Sequence, residues 1–402
     1  MSMLTASQAL EAICADVRVL TDVEQVATEL ALGRVLAQPL VSGMNVPSHD
    51  NTQMDGYAMR AADCVSGDTV LPVSQRIPAG AVGAPLQPGA CARIFTGAFI
   101  PEGADCVVMQ EQCEAGDGVV TVRRTPQAGE WIRRAGEDIA AGSVIVEQGT
   151  RLNPAHLGLA ASVGLPTVAV VRRPKVAIFF TGDELTMPGE PLAPGAIYNS
   201  NRYLLRGLLQ NLGCDVIDLG IVRDSLDATR AALRTGAQCD LIVTSGGVSV
   251  GEEDHVKAAV EAQGRLNLWQ IAIKPGKPLA FGEVEREGGG AAYFLGLPGN
   301  PVSSYVTFLL FVRPFILRLQ GVREVAPRAY PMRADFDWPR ADKRNEFLRA
   351  RVNHDGGLDL YPNQGSAVLT SVAWGHGLVD TPPGQPIARG QLVRFLPFSE
   401  LS

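Results

Sequence analysis

The chain has 402 residues and a net charge of −7, and 46% of its residues are hydrophobic and 19% charged. This apolar content excludes a disordered chain, and the acidic balance excludes general nucleic-acid binding, which requires Lys and Arg to neutralise phosphates. A chain of this length predicts about two to four domains.

The sequence predicts neither a membrane span nor an export signal. The longest apolar run, YVTFLLFVRPFIL at Tyr305–Leu317, is shorter than the roughly 20 residues that cross a bilayer, and it contains Arg313 and Pro314. The N-terminus lacks a basic start followed by an apolar stretch. The seven cysteines form no CxxC pair and lie mostly in apolar segments, which predicts buried thiols in a reducing cytoplasm.

The N-terminal region predicts a helical domain with a β-rich insertion. Apolar residues at helical spacing predict helices at 5–14, at about 21–37 and at 153–164. Between them, short β-branched runs alternate with Gly and Pro, which is typical of a small β-rich domain. We therefore predict a split helical and extended domain at 1–45 and 146–171. The β-rich domain is inserted at 46–145.

Short apolar strands alternate with amphipathic helices from Arg172 onward. This alternation predicts a doubly wound parallel sheet, covered by helices on both faces, at 172–322. The remainder returns to short strands with a hairpin at Asp355-Gly356, which predicts a C-terminal β-barrel at 323–402. The predicted fold class is thus α/β plus β in a multidomain chain.

Four loops in the α/β region, each between a strand and the following helix, predict a ligand site. Open α/β sheets bind ligands outside the carboxyl ends of their strands, where free N–H groups and the helix dipole attract anions. The loops are TGDEL (181–185), VRDS (222–225), TSGGVSVGEED (244–254) and LPGNPVSS (297–304).

The third of these loops combines anion donors with carboxylates. Gly246 and Gly247 allow the backbone to curl around a phosphate, and Ser245 and Ser249 can donate hydroxyl hydrogen bonds. The acids at 252–254 can cap the next helix or hold a divalent metal beside the phosphate. A tight turn followed by capping acids is the purely structural alternative.

Two further segments carry candidate anion ligands. IAIKPGKPLAFG, at 271–282, places Lys274 and Lys277 around a Pro-Gly turn, which suits a phosphate or another oxyanion. Solvated surface lysines are the alternative. In LPGNPVSS, Asn300 is the predicted cap and Pro301 the first helical residue, so this loop can be structural alone.

The β-rich region has polar clusters of its own, which turns and surface ion pairs would also explain. These clusters contain Asp50, Asn51 and Asp55, then Thr96, then Arg133, Arg134, Glu137 and Asp138. The histidines show no HxxxH or triad spacing, and no GxxxxGK[ST] occurs. Zinc proteases, serine hydrolases and P-loop NTPases are thereby excluded.

Together these segments resemble the molybdopterin molybdenumtransferase family, which contains MoeA and the gephyrin E domain. One such motif is weakly diagnostic, but the ordered set, from about residue 5 to the C-terminus, is specific. The matching segments are DNTQMDGYA, RIFTGAFIPEGADCVVMQE, RRAGEDI, FFTGDEL, YNSNRYLL, VRDS, TSGGVSVGEED, IAIKPGKP and LGLPGNPVSS.

The resemblance implies the last step of molybdenum cofactor synthesis. Adenylylated molybdopterin is hydrolysed with release of AMP, and molybdate is placed on the dithiolene sulfurs. The resemblance further implies Mg²⁺ and a cytoplasmic homodimer, whose active site lies between the α/β domain of one chain and the β domain of the other. The expected protein partners serve molybdopterin synthesis and molybdoenzyme maturation, with no role for nucleic acid or a membrane. A non-catalytic molybdopterin-binding scaffold or carrier and a molybdopterin adenylyltransferase are the alternatives.

The resemblance also implies roles for individual residues, position by position. The expected catalytic residues are Asp224, Glu184, Asp254, Asp55 and Asp138. The first three of these would also hold the metal. The expected substrate-binding residues are Thr96, Arg133, Thr181, Ser245, Gly246, Gly247, Ser249, Lys274, Lys277, Pro298 and Ser366. One departure is Ser225, which stands where a second acid is frequent in the family.

Overall fold

A computed structural model describes residues 3–15, 17–247 and 255–401. The chain separates into two compact units. The main unit comprises residues 1–24, 33–37 and 169–402, and the inserted unit comprises residues 25–32 and 38–168. The four-domain division predicted above is finer than this one and stays a prediction.

The inserted unit is built on a six-stranded sheet with the order β7-β4-β6-β5-β9-β8. All its neighbouring strands are antiparallel except β5 and β6. The strands are β4 (Gly56–Met59), β5 (Thr69–Ile77), β6 (Cys91–Ile94), β7 (Cys106–Met109), β8 (Cys113–Ala115) and β9 (Val119–Val122). All four residues of β4 are buried, because apolar clusters lie on both of its faces. The predicted β-rich insertion is confirmed.

Shorter elements complete the inserted unit. Two antiparallel pairs join β2 to β11 and β3 to β10. Their bounds are β2 (Leu40–Val41), β3 (Asn51–Thr52), β10 (Ile132–Arg133) and β11 (Val144–Val146). The predicted third helix is observed as α2 (Pro154–Ser162), capped by the side chain of Asn153. The strands β1 (Val23–Ala27) and β12 (Thr167–Val171) carry the chain between the units.

The main unit contains a six-stranded sheet with the order β16-β13-β17-β21-β20-β18. Its parallel strands are β13 (Lys175–Thr181), β16 (Asp215–Val222), β17 (Leu241–Ser245) and β21 (Ala291–Leu297). Two antiparallel strands, β18 (Gly264–Gln270) and β20 (Pro278–Glu285), extend it. The sheet is therefore mixed rather than wholly parallel as predicted, because the short links on both sides of β20 cannot form a parallel crossover.

Helices cover both faces of this sheet. Side chains of β13 alternate between two cores, with Ile178 in one and Phe179 in the other. The first core is covered by α1 (Ala6–Ala15), α3 (Ser200–Asn211) and the helix that starts at Pro301. The second is covered by α4 (Leu226–Gly236) and α5 (His255–Gln263). The predicted doubly wound arrangement is thereby confirmed.

The helix after Pro301 is continuous but irregular. It comprises α6 (Pro301–Thr307), a π-helical turn at Phe308–Val312 and α7 (Arg313–Leu319). Pro314 lacks the N–H that a regular α-helix would need, which accounts for the wider turn before it. By length and composition this helix could cross a membrane, but 78% of its most apolar stretch is buried, as in the core helix of a globular protein.

The C-terminal strands form a second sheet with the order β19-β23-β25-β26-β22, and β24 pairs with β23. They are β19 (Ile273–Lys274), β22 (Tyr330–Arg333), β23 (Asn345–Val352), β24 (Leu358–Leu360), β25 (Gly377–Thr381) and β26 (Leu392–Pro397). A bridge between Ala334 and Leu358 links the end of β22 to β24 and closes a small barrel. The predicted hairpin at Asp355-Gly356 joins β23 and β24. The remaining short elements are β14 (Leu185–Thr186), β15 (Ile197–Tyr198), α8 (Thr370–Trp374) and α9 (Phe398–Leu401).

The prediction of a helix at about 21–37 is wrong. This segment instead forms β1 and a short 3-10 turn at Thr28–Leu30. Its β-branched valines favour a strand. Leu30 and Leu32 are 70% and 57% exposed, so the apolar residues of this segment do not mark one buried face. Helical periodicity without burial gave a false signal here.

A glycine in the central strand of the inserted unit yields a stability prediction. A Cβ at Gly56 would overlap the carbonyl oxygen of Val108 on β7. We expect Gly56→Ala to destabilise the protein by at least about 2 kcal/mol, since the paired backbones must separate. Urea unfolding followed by circular dichroism measures this loss.

Gly67→Ala is the matched control for Gly56→Ala, because a Cβ at Gly67 meets no atom within 4 Å. Its unfolding free energy should change by no more than about 0.5 kcal/mol. Equal stabilities of the two variants would contradict the close approach of β4 and β7.

Candidate anion-binding cavity and acidic edge

The parallel strands of the main unit end at one edge, as the sequence predicts. Thr181 lies opposite Val222, and Ser245 lies opposite Phe180 and Leu297. The four predicted ligand loops follow directly after these strand ends. The candidate residues of these loops that lie in the described ranges are therefore neighbours in space although they are far apart in the sequence.

A cavity of about 620 Å³ lies at this edge of the main unit. Six of the predicted site residues line it, namely Gly246, Gly247, Lys274, Lys277, Pro298 and Ser366. Further lining residues that the sequence did not single out as ligands are Asn300, Ser303, Arg344, Gln364 and Gly365. The C-terminal region contributes four of all the lining residues, namely Arg344, Gln364, Gly365 and Ser366. The barrel therefore supplies one wall of the cavity.

The adjacent glycines after β17 form a backbone cradle. Gly246 and Gly247 have φ values of +98° and +63°, a region that disfavours other residues. A Cβ at Gly246 would lie 2.8 Å from the carbonyl oxygen of Thr181, and one at Gly247 would lie 2.6 Å from Val256 Cγ2. Beside this cradle, the buried hydroxyl of Thr181 has no hydrogen-bond partner among the described residues. Only glycine fits these positions. The N–H of Gly246 donates to the carbonyl oxygen of Leu297 at 3.1 Å, so Gly247 is the one of the two that is a candidate to donate its N–H to an anion.

A buried polar network ties the cradle to the loop after β21. Asn201 Nδ2 donates to Ser245 Oγ at 2.8 Å and to the carbonyl oxygen of Gly299 at 2.7 Å. Ser245 Oγ also donates to the carbonyl oxygen of Pro298 at 3.0 Å and lies 2.9 Å from Ser304 Oγ. Ser245 is only 2% exposed, so its hydroxyl is engaged within the protein. The predicted substrate ligand Ser245 has, in this structure, a role in positioning two loops.

The two predicted anion-binding lysines have different surroundings. Lys274 Nζ lies 2.9 Å from Glu346 and 3.3 Å from Asp342. Burial lowers the pKa of the Lys274 ammonium, but its hydrogen bonds and ion pairs with these carboxylates outweigh burial and raise that pKa overall. Arg344 pairs with Asp342 as well, at 3.0 Å. Lys277 is exposed and forms no ion pair with any described residue, so its charge is free to attract an anion.

The capping predicted for the loop after β21 is only partly observed. Asn300 occupies the cap position before Pro301, but its side chain makes no capping hydrogen bond. It lines the cavity instead. An amide that is not needed for capping can donate to a ligand, so Asn300 joins the candidate substrate-binding residues.

Carboxylates gather at the other end of the same edge. The N–H of Asp224 donates to Asp183 Oδ1 at 3.3 Å, which brings the loops after β13 and β16 together. Glu184 is exposed next to Asp183. Ser225, which stands where a second acid is frequent, caps α4 by accepting from the N–H of Ala228. Asp183 is thus a candidate that the sequence analysis missed, although the motif TGDEL contains it.

The predicted metal ligands are only partly described. Asp254 and Ser249 lie outside the described residues, so the structure places Asp224 and Glu184 alone of the three proposed ligands. Within the described ranges no group of three His, Cys, Asp or Glu side chains is arranged to hold a metal ion. A metal site would therefore need donors beyond those ranges or from a ligand.

Asp55 and Thr96 form a local pair in the inserted unit. Asp55 Oδ1 accepts from the Thr96 N–H and from the Thr96 hydroxyl, each at 2.7 Å. The backbone hydrogen bond and then the hydroxyl hydrogen bond lower the pKa of Asp55 below its usual value. Asp55 is therefore held as a carboxylate.

A second cavity, of about 570 Å³, lies in the inserted unit. It is lined by Val46, Pro47, Asn51, Arg133, Glu137 and Asp138. Arg133 donates to Asn51 Oδ1 at 3.3 Å. The structure therefore brings the predicted residues Arg133 and Asp138 together, whereas Asp55 and Thr96 do not line this cavity.

Models of known protein families match the chain in three consecutive parts. Residues 4–164 match the MoeA N-terminal region (domain I and II). Residues 177–318 match the probable molybdopterin binding domain, and residues 331–398 match the MoeA C-terminal region (domain IV). The matches follow the order of the predicted segments.

Known proteins are similar over nearly the whole chain. A molybdopterin molybdenumtransferase from Haemophilus influenzae is 41% identical, over 89% of this chain and 89% of its own length. One from a Nostoc species is also 41% identical, over 90% and 86%. The crystal structure of a molybdopterin biosynthesis moeA protein from Pyrococcus horikoshii superposes with a TM-score of 0.85 at 27% identity, covering 98% of this chain and 100% of that one.

The Asp55–Thr96 pair predicts a shift in ionisation. Thr96→Val removes the hydroxyl donor but keeps the backbone donor, so we expect the pKa of Asp55 to rise part of the way towards its usual value. The stability contributed by the hydroxyl should be present at neutral pH and be lost as the pH falls through the lowered pKa of folded Asp55. Carboxyl NMR titration measures the shift.

Asp50 is the internal control in the Thr96→Val titration. The N–H of Ala135 and then Arg134 lower the pKa of Asp50, and neither donor is altered. An unchanged Asp55 pKa in the variant would show that the Thr96 hydroxyl does not hold the carboxylate.

Proposed function

Because the chain belongs to the molybdopterin molybdenumtransferase family, we propose that its main-unit cavity and the adjoining acidic edge carry out the reaction of that family. The enzyme inserts molybdenum into molybdopterin in molybdenum cofactor biosynthesis, as the names of relatives 41% identical over about nine-tenths of the chain support. The family and fold class expected from the motifs are confirmed. The finer steps below are proposals.

The observation that carries the proposal is the set of anion donors around the cavity. Molybdate is a dianion, and such a ligand needs cations and N–H or O–H donors in a concave site. Lys277 supplies a free ammonium, Gly247 supplies a backbone N–H group, and Ser303 and Ser366 supply hydroxyls. A volume of about 620 Å³ leaves room for molybdate together with part of a pterin.

Asp224 and Glu184 are proposed to act on the phosphoanhydride of adenylylated molybdopterin, with release of AMP. They lie at the same sheet edge as the cavity, and no hydrogen bond or ion pair within the described residues engages the Asp224 carboxylate. An unengaged carboxylate can orient an attacking water by accepting its proton. The glycine cradle would hold the phosphates while the bond between them breaks.

Mg²⁺ fits the chemistry of this edge. Asp224 and Glu184 offer carboxylate oxygens, which Mg²⁺ prefers, and the exposed side chain of Glu184 and the half-buried one of Asp224 leave space for the waters that this ion retains. Asp254 is the third proposed ligand. When bound, the ion would neutralise phosphate charge, while the chain's own part is to position the nucleotide.

A homodimer with shared sites is proposed because candidate ligands occur in both units. The main unit holds the cavity and the acidic edge, and the inserted unit holds Asp55, Thr96, Arg133 and Asp138. We propose that the inserted unit of one subunit completes the site of the other. The cytoplasm is the proposed compartment, and proteins of molybdopterin synthesis and molybdoenzyme maturation are the proposed partners.

Two other functions compete with this proposal. A non-catalytic scaffold or carrier would bind molybdopterin without turnover, and it would not need the acidic edge. A molybdopterin adenylyltransferase would form the adenylylated compound from molybdopterin and ATP. The matches to the MoeA N-terminal and C-terminal regions favour the transferase over the adenylyltransferase, and an assay that supplies molybdopterin plus ATP separates these two. Release of AMP from adenylylated molybdopterin separates the transferase from a scaffold or carrier.

Asp224→Ala should abolish AMP release without loss of folding. The assay incubates the protein with adenylylated molybdopterin, Mg²⁺ and molybdate, and it measures both AMP and active cofactor. Removal of one essential acid typically costs about 10²–10⁴-fold in rate. Asp227→Ala, an exposed acid in the first turn of α4, is the matched control and should keep activity. Normal turnover by the Asp224 variant would remove this residue from the mechanism.

Mixed dimers test whether the site is shared. Asp55→Ala and Asp224→Ala chains should each be inactive alone and regain activity together, because a mixed dimer contains one intact composite site. Two affinity tags isolate the heterodimers before the AMP assay. Purified heterodimers without activity would contradict the shared site and leave the Asp224 result unaffected.

A further inference from the structure

Two arginines stand opposite each other on neighbouring strands of the inserted unit. Arg76 on β5 is the register partner of Arg93 on β6. The guanidinium carbons of both lie 4.5 Å from the centre of the Phe95 ring, so the two charges are separated by no more than twice that distance. Like charges at paired positions repel each other, whereas the face of an aromatic ring attracts each of them. The ring therefore holds two cationic groups close together.

Neither guanidinium has a carboxylate as its direct partner among the described residues. Arg93 Nη1 donates to the carbonyl oxygens of Gly56 at 2.8 Å and of Ile94 at 3.3 Å. Its Nη2 donates to Gln110 Oε1 at 2.5 Å, and all three acceptors are neutral. Arg76 is exposed and, within the same described ranges, forms no hydrogen bond or ion pair. Because it contacts the ring alone, its N–H groups are free to bind a ligand.

Two carboxylates lie near the arginine pair, but neither forms an ion pair with it. The pKa of Asp55 is lowered first by the hydrogen bonds from Thr96 and, as the weakest cause, by the charge of Arg93. Glu111 accepts at 3.3 Å from the side-chain amide that also binds Arg93. Arg76 has neither of these contacts, so its charge is the one that remains for an anion.

The arginine pair adjoins the Asp55–Thr96 pair. The carbonyl oxygen that accepts from Arg93 at 2.8 Å belongs to Gly56, the residue after Asp55. Phe95 directly precedes Thr96 in the chain. A ligand that reaches the Asp55 carboxylate therefore also meets the guanidinium groups. A phosphate suits them, because the N–H groups of a guanidinium form a planar fork that matches phosphate oxygens.

We propose that Arg76, stacked with Arg93 on Phe95, binds a phosphate oxygen of the nucleotide part of adenylylated molybdopterin held by the main unit of the partner subunit. Arg76 is a substrate-binding residue that sets affinity rather than the rate of the chemical step. This inference rests on the proposed function, since it requires a nucleotide substrate and a site shared between two subunits.

The first test measures AMP binding to the full-length protein by isothermal calorimetry. Arg76→Gln should weaken AMP binding by at least about fivefold, since a charge-assisted hydrogen bond to phosphate is lost. Arg76→Lys keeps the charge but loses the planar fork, so its affinity should lie between those of wild type and the glutamine variant. Arg123→Gln is the matched control, because Arg123 is an exposed arginine of the same unit that is paired with Glu114. Its AMP affinity should stay within about twofold of wild type.

Salt separates an effect of charge from an effect of packing. Because Arg76 is exposed, dissolved ions screen its charge. The difference in AMP affinity between wild type and Arg76→Gln should therefore narrow as the ionic strength rises from about 0.05 M to about 0.5 M. A difference that does not depend on salt would show that only packing on Phe95 was lost, and it would overturn the inference.

Mixed dimers test whether Arg76 acts on the partner. The Arg76→Gln homodimer should have a raised KM for adenylylated molybdopterin and an unchanged kcat. In a heterodimer with an Asp224→Ala chain, the one main unit that keeps Asp224 receives a wild-type inserted unit only if the site is shared. The KM of the purified heterodimer should then equal that of wild type, and a raised KM would contradict action across the dimer.

The outcomes separate this inference from the proposed function. An Arg76→Gln variant that binds AMP like wild type, or a lysine variant as weak as the glutamine variant, would overturn the inference and leave the Asp224 result unaffected. So would a wild-type protein that releases AMP from adenylylated molybdopterin but shows no measurable binding of AMP. A wild-type protein that releases no AMP would remove the proposed function, and the inference with it.

Discussion

The pairing of β19 with β23 is the contact on which the main unit's site depends. Ile273 and Lys274 run parallel to Asn345 and Glu346, and this short ladder joins the loop beside the α/β sheet to the C-terminal barrel. The Lys274–Glu346 ion pair lies in the same register. Because one wall of the cavity comes from each side of this ladder, the cavity exists only while the two sheets are joined.

The cavity can attract an anion although the protein is acidic, because some of its cations are paired with carboxylates and others are not. Asp342 and Glu346 neutralise Lys274 and Arg344, which fixes their positions. The charge left for a ligand is that of the exposed Lys277. A net charge of −7 therefore excludes general polyanion binding without excluding one small, built anion site.

The polar network below the glycine cradle explains why the motif YNSNRYLL accompanies the ligand loops in the sequence. Asn201 contacts the loops after β17 and β21 at once. A buried polar network of this kind stabilises the structure only when its donors have acceptors, because burying an unpaired donor costs free energy. The cradle geometry thus depends on a residue from a helix that contributes nothing to the lining of the cavity.

The sequence by itself determined the alternation of strands and helices, the β-rich insertion and the four ligand loops at one sheet edge. These features follow from local patterns, because apolar runs, turn residues and glycines act through their immediate neighbours. The false helix at 21–37 shows the limit of the same patterns, since periodicity does not reveal which face is buried.

Only the tertiary structure decided the roles within the site. The sequence presents Lys274 and Lys277 as equivalent and Ser245 as a free hydroxyl, yet long-range contacts pair Lys274 with Glu346 and engage Ser245 with Asn201. The sequence gives no sign that Arg349 is buried and that its guanidinium bonds only to neutral acceptors within the described ranges. Charge compensation and burial depend on contacts between residues that are far apart in the chain. A single sequence does not show which of these residues are in contact.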